Sequence, residues 1–259
     1  MKIKLLPLLV AVSSLGLITA AAQPGGPGGM GGPGGPNFGG SMSKLFGDNK
    51  QFSATIELQS KDGRAGDTTI PGKLCFDDGK SRFEMDLTKM KNSMMKDSGA
   101  EMMKAMGMDS MVAIARPDKQ VSYTIFPGMK AYAETPLSES ENAKAAEKYK
   151  VETSELGKET MDGHPCVKNK VVVTDDKQKK HESTVWNATD LKKFPVRIET
   201  EEGGTKLTML FKDIKLAPPE AKNFEAPGDM KRYTSREELM QTEMMKRMGG
   251  GAGFAPPGR

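Results

Sequence analysis

DGHPCVKNKVVVTDD (162–176), KKHESTVWNATDLKKFPVRIETEEGG (179–204) and TKLTMLFKDIKL (205–216) make up the stretch that decides the fold. At period two it separates into four short strands with charged or glycine turns between them. That pattern predicts consecutive antiparallel hairpins. Val167, Val171 and Val173 share one parity on the first strand. Val185 alternates with Trp186 on the second, which predicts a strand covered on both faces. Val196 and Ile198 carry the third, entered through Phe194-Pro195. Gly203-Gly204 then turns the chain into the fourth, where Leu207, Met209 and Phe211 face one way. Arg197, Glu199, Lys206 and Thr208 face the other.

Upstream, Phe52, Ala54, Ile56 and Leu58 alternate with Ser53, Thr55 and Glu57, the signature of a half-buried strand. Asp62-Gly63 and Asp78-Gly79 mark the turns to two more strands, 68–76 and 81–87. Pro71-Gly72 suggests an edge or bulge near the start of the first of these, since proline cannot donate to a ladder. Phe83, Met85 and Leu87 share a face on the second. A Met-rich helical insertion at 88–110 follows, with Ser98-Gly99-Ala100-Glu101 as its capping box and Gly107 at its end. Strands resume at 111–115, 120–126 and 131–134. Ser138-Glu139-Ser140-Glu141 is a second capping box, opening a polar helix toward Tyr149, and 151–160 leads back to the opening stretch. Beyond it, Phe224-Glu225-Ala226-Pro227 is an extended segment that packs down. Ser235-Arg236-Glu237-Glu238 caps a last helix carrying Met240, Met244 and Met248, with Gly249 at the position after its end.

The two ends are different in kind. Lys2 and Lys4, the apolar run Leu5–Leu17 and Ala20-Ala21-Ala22 predict a signal peptide over 1–22, hence a secreted chain with the periplasm as its expected compartment. Residues 23–44, nearly all Gly and Pro over 24–40, are expected to be a disordered linker. Residues 45–248 are then one domain, and 249–259 a disordered tail. No second apolar run is long enough to anchor the mature chain across a membrane. Loss of Lys2 and Lys4 lowers the net charge from +4 to about +2. With acids interspersed throughout, no basic stripe is left for nucleic acid.

Several pieces together carry a family resemblance: Pro127-Gly128-Met129-Lys130-Ala131-Tyr132, Asp162-Gly163-His164-Pro165-Cys166, Trp186-Asn187-Ala188 and Phe194-Pro195-Val196-Arg197-Ile198. The chain resembles an uncharacterised bacterial secreted family, a domain of unknown function. That family is similar to the periplasmic lipoprotein carrier and its outer-membrane receptor, the LolA/LolB-like fold. The resemblance spans 52–233 and implies an α+β fold: a curved antiparallel sheet forming an open half-barrel, with a few helices over its apolar concave face. It transfers no functional residue.

Chemistry-bearing residues are sparse. His164 and His181 lie in no nucleophile or metal spacing, and the glycine runs follow no strand, so catalytic residues and cofactors are expected to be none. Candidate lining for a lipid or lipidated ligand is Phe83, Met85, Leu207, Met209 and Phe211 on the sheet, with Met240 and Met244 above it. Methionine suits such a lid because it is flexible and polarizable. It also suits Cu(I), which makes Met102, Met103 and Met106 an alternative metal site. A third reading is an envelope interaction protein with no small ligand. Cys75 and Cys166 either form one disulfide or remain two buried thiols.

Overall fold

The computed structural model describes residues 38, 40–61, 66–92, 98–137, 147–202 and 204–247. Its strands are β1 (Gln51–Lys61), β2 (Thr68–Asp77), β3 (Lys80–Asp86), β4 (Lys91–Asn92), β5 (Ser110–Arg116), β6 (Val121–Phe126) and β7 (Ala131–Pro136), followed by β8 (Lys150–Met161), β9 (His164–Thr174), β10 (Lys180–Ala188), β11 (Phe194–Glu202), β12 (Thr205–Lys215) and β13 (Lys231–Tyr233). The helices are α1 (Gly40–Ser43), α2 (Ser98–Ala105) and α3 (Arg236–Arg247). Shorter 3-10 turns cover Lys44–Phe46, Leu87–Lys89, Pro127–Met129 and Ala221–Phe224.

All thirteen strands belong to one open sheet, ordered β13-β7-β6-β5-β3-β2-β1-β12-β11-β10-β9-β8, with β4 attached to β2. Every pairing is antiparallel except that of β13 with β7. Two meanders, β1–β7 and β8–β12, are therefore joined by their long strands β1 and β12, where Ile56 faces Phe211 and Leu58 faces Met209. This is the expected α+β fold class.

The sheet curves. Neighbouring strands lie about 4.8 Å apart, so two strands separated by a third are about 10 Å apart. Yet Phe52 on β1 and Phe194 on β11, which flank β12, have ring centroids 4.8 Å apart. Their side chains converge on a concave face. That face carries one apolar cluster built from β1, β2, β3, β12 and their outer neighbours. The convex face carries two smaller clusters, one around Ile114, Tyr123 and Phe224, the other around Cys166, Trp186 and Val196. In a regular strand Val196 and Ile198, two residues apart, would share a face. A register shift opposite Trp186 and Asn187 adds a residue and turns Val196 outward, while Ile198 stays inside.

Trp186 is buried on the convex face, and Val185 on the same strand is buried inside. The indole donates to Glu159, and Lys168 and Arg197 lie 4.8 and 4.9 Å from its ring. Arg197, Glu199 and Lys206 make the charged ladder that the alternation predicted.

Pro71 occupies a local edge. β3 pairs with β2 only as far as Gly72↔Met85, and β4 pairs only with Thr68 and Thr69. Between them β2 has no neighbour on that side among the described residues, so the missing N–H of Pro71 breaks no ladder there.

Helix ends follow the capping residues. α2 begins at Ser98 as predicted and ends in a Schellman motif, with Met108 N–H donating to Met103 O at 2.8 Å, Gly107 N–H to Lys104 O at 3.0 Å, and Gly107 at φ +71°. For α3, Ser235 Oγ accepts from Glu238 N–H at 3.1 Å, whereas the Glu238 carboxylate reaches back one residue further than a standard box, to Thr234. The expected helix from Ser138 and the position of Gly249 lie outside the described residues. Within the stretch assigned to the linker from composition, Phe38 is buried against Phe83 and Gly40–Ser43 form α1.

From Leu216 onward the chain crosses the convex face as a strap. Its anchor is Arg116, buried, which forks onto Asp118 at 2.8 and 2.7 Å and also donates to Phe224 O and Glu225 at 2.9 and 2.7 Å. Arg116 holds the Asp118 carboxyl down at about 2, and Lys119 with Arg116 holds Glu225 below its ordinary range. Replacement of Arg116 by Met should cost about 2 kcal/mol, since hydrogen bonds to charged groups are lost but the carboxylates left behind are half-exposed and stay hydrated. A depressed carboxylate stabilises the fold fully above its ordinary value of 3.8 and loses that contribution as pH falls through about 2. Urea titrations from pH 6 to 2 should therefore show a loss of stability below pH 4 that is smaller in the Met variant. Equal slopes for both proteins would refute the assignment.

Candidate functional site

The concave face is the site to which the sequence pointed, and its residues come together there. Phe83 and Met85 on β3, and Leu207, Met209 and Phe211 on β12, are all buried members of the one inner cluster. Met240 and Met244 of α3 pack on it partly buried, beside the fully buried Leu239. α3 is held over the face by two contacts of its own. Glu243 accepts from Tyr233 Oη, and Arg247 donates to Gly128 O at 2.6 Å.

Sequence reasoning passed over the main occupant of this face. Ser41–Asn49 reads as a lead-in to β1, but its 3-10 turn drives Phe46 into the centre of the sheet. The Phe46 ring lies 4.8 Å from Phe52, 5.4 Å from Phe76, 5.9 Å from Phe211 and 6.1 Å from Phe194. Leu45 is buried beside it, and Phe38 sits 5.4 Å from Phe83. The hint in the sequence is two phenylalanines, Phe38 and Phe46, and Leu45 in or beside a Gly/Pro-rich stretch otherwise poor in large apolar residues.

A cavity of about 820 Å³ opens where β3 leaves β2. Pro71, Gly72, Met85, Met111, Val112 and Pro127 give it an apolar floor, and α2 stands at its rim. Met85 and Met111 belong also to the inner cluster, so the floor of the cavity is the border of the concave face.

The remaining candidates separate. Cys75 and Cys166 are free thiols, which overturns the disulfide alternative. They lie on β2 and β9, with four strands between them, in different convex clusters. Burial raises both thiols above their ordinary value, which keeps them protonated and unreactive. Met102 is 60% exposed while Met103 and Met106 are half-buried, and no cluster of three or more His, Cys, Asp or Glu residues suited to a metal occurs among the described residues. Nothing in this arrangement favours the copper alternative. His164 pairs with Asp190 at 2.8 Å and His181 with Asp175 at 3.1 Å, both at strand ends. The lysine-rich turn between β9 and β10, Lys177–Lys180, is organised by Asp175, which accepts from Lys177 N–H and Lys179 N–H at 2.9 and 2.8 Å. No helix among the described residues is long and apolar enough to cross a membrane.

An open antiparallel sheet with helices laid on its concave face defines the class of protein. Residues 65–194, half of the chain, match the family described as Domain of unknown function (DUF4412), and the chain belongs to that family. No curated protein matches the sequence. Among solved structures it is similar to a LolA superfamily protein from Nitrosomonas europaea, at 9% identity over 71% of this chain and 93% of that one, with a TM-score of 0.39. It is similar also to LprF from Mycobacterium bovis (10%, 71% and 95%, TM-score 0.38) and to the lipoprotein LppX from Mycobacterium tuberculosis (11%, 66% and 92%, TM-score 0.35).

Proposed function

We propose that this is a secreted, non-enzymatic protein of the cell envelope that binds a lipid or lipidated ligand on the concave face of its sheet. One observation carries the reading: seven apolar residues from β3, β12 and α3 meet on one face, and a cavity opens at its border. The covering pieces are short. Leu45 and Phe46 come from a 3-10 turn, Phe38 from the Gly/Pro-rich stretch before it, and Met240 and Met244 from one amphipathic helix. An acyl chain takes the place of these side chains on the sheet. Each buried CH₂ contributes about 0.8 kcal/mol, so affinity requires no catalytic group.

Protein purified from its native envelope should yield a lipid on solvent extraction and mass spectrometry, and emptied protein should take up a fluorescent fatty acid. Repeated recovery of empty protein that takes up no fatty acid would refute the proposal.

A further inference from the structure

We infer that the cavity beside Gly72 is a head-group site for a zwitterionic amphiphile. This rests on the reading above that an acyl chain occupies the concave face. The cavity stands at a break in the sheet: β3 departs after Met85, the 3-10 turn Leu87–Lys89 swings out, and β4 rejoins β2 only at Thr68 and Thr69. Its walls come from both faces. Lys73 and Glu84 are opposed across β2 and β3, in a row that runs from Thr55 to Val112. One residue along, Met85 and Met111 belong to the inner cluster. Beyond Gly72, at Ile70 and Pro71, β2 pairs with neither β3 nor β4, and the cavity that opens there is lined by both rows. A ligand can therefore place a polar head among the charges and its chain against the inner methionines.

The charges define which head. Four cations, Lys73, Arg82, Lys89 and Lys104, and four carboxylates, Glu84, Asp86, Glu101 and Asp109, line the cavity. Half of them are already matched: Arg82 with Glu84 at 2.6 Å and Lys89 with Asp86 at 2.9 Å. Lys73, Lys104, Glu101 and Asp109 make no ion pair among the described residues. An anion alone would meet two free carboxylates, and a cation alone two free lysines. A ligand with a phosphate and an ammonium a few bonds apart satisfies both, and it adds no net charge to a neutral cavity.

The experiment compares acyl-labelled fluorescent phosphatidylethanolamine with phosphatidylglycerol of identical chains, bound to the full mature chain. The zwitterionic lipid should bind about tenfold more tightly. A K73Q/E101Q/K104Q/D109N variant, which removes all four unpaired charges, should erase that preference and keep the affinity common to both lipids. Three of these side chains are exposed, Asp109 is half-exposed and the net charge is unchanged, so its melting temperature should stay close to wild type. Equal binding of the two lipids by wild type overturns the inference and leaves the acyl reading standing. So does a preference that survives in the variant. Failure of both lipids to bind overturns the two readings together. Displacement by glycerophosphoethanolamine as effective as by the whole lipid overturns the amphiphile assignment, because the site would then recognise the free zwitterion.

Discussion

Replacing Phe46 by Ala should lower the unfolding free energy by about 3–5 kcal/mol, measured by urea denaturation. The ring is 1% exposed and lies within 6.1 Å of four other phenylalanine rings, from β1, β2, β11 and β12. Truncation removes its buried area and leaves a hole that strands cannot collapse to fill, because their spacing is fixed by backbone hydrogen bonds. The same substitution should raise fatty-acid uptake, since it vacates part of the face that the ligand is proposed to occupy. A variant that loses less than 1 kcal/mol would mean that the turn rests on the sheet without being part of its core.

Gly72→Ala should be nearly as damaging, for the opposite reason. A Cβ there would stand 2.4 Å from Glu84 O and 2.7 Å from the Phe83 ring. One of these is backbone of a paired strand and the other a ring buried to 1% exposure, so neither can move cheaply. Overpacking of this kind costs about 3 kcal/mol. Gly163→Ala is the natural contrast, because nothing lies within 4 Å of its Cβ position and its cost comes only from its backbone angle, φ +86°. Denaturation midpoints of the two variants should therefore differ, with Gly72→Ala the lower. Reversed order would refute the packing argument.

The parts of the fold legible in the sequence are those governed by nearest neighbours along the chain. Alternation placed Leu207, Met209 and Phe211 on one face, and β9 to β12 appear where Asp162-Gly163 and the following turns divide them. Ser98 and Ser235 marked helix starts, and at Ser235 the cap is a local contact with Glu238 N–H. What escaped depends on partners far away in sequence. The β1–β12 pairing joins residues about 150 apart, and no local pattern distinguishes it from other pairings of half-buried strands. The parallel addition of β13 to β7 is equally silent, as is the strap held by Arg116. Of the site, the apolar sheet residues were visible from parity. Phe46 was not, since a single aromatic in a turn carries no periodicity. The head-group cavity was hidden because it arises from an interrupted pairing, and Pro71-Gly72 signalled the interruption without its use.

The junction of β1 with β12 sets the order in which the molecule can be made. The first long strand lies in the middle of the sheet and waits for one of the last: Gln51–Lys61 has β2 on one side at once, but its other side is completed only by Thr205–Lys215. A growing chain therefore carries a half-sheet with an open edge until some four-fifths of it has emerged, and loop closure over that span makes the joining step slow. The two meanders meet only after the last of them is complete.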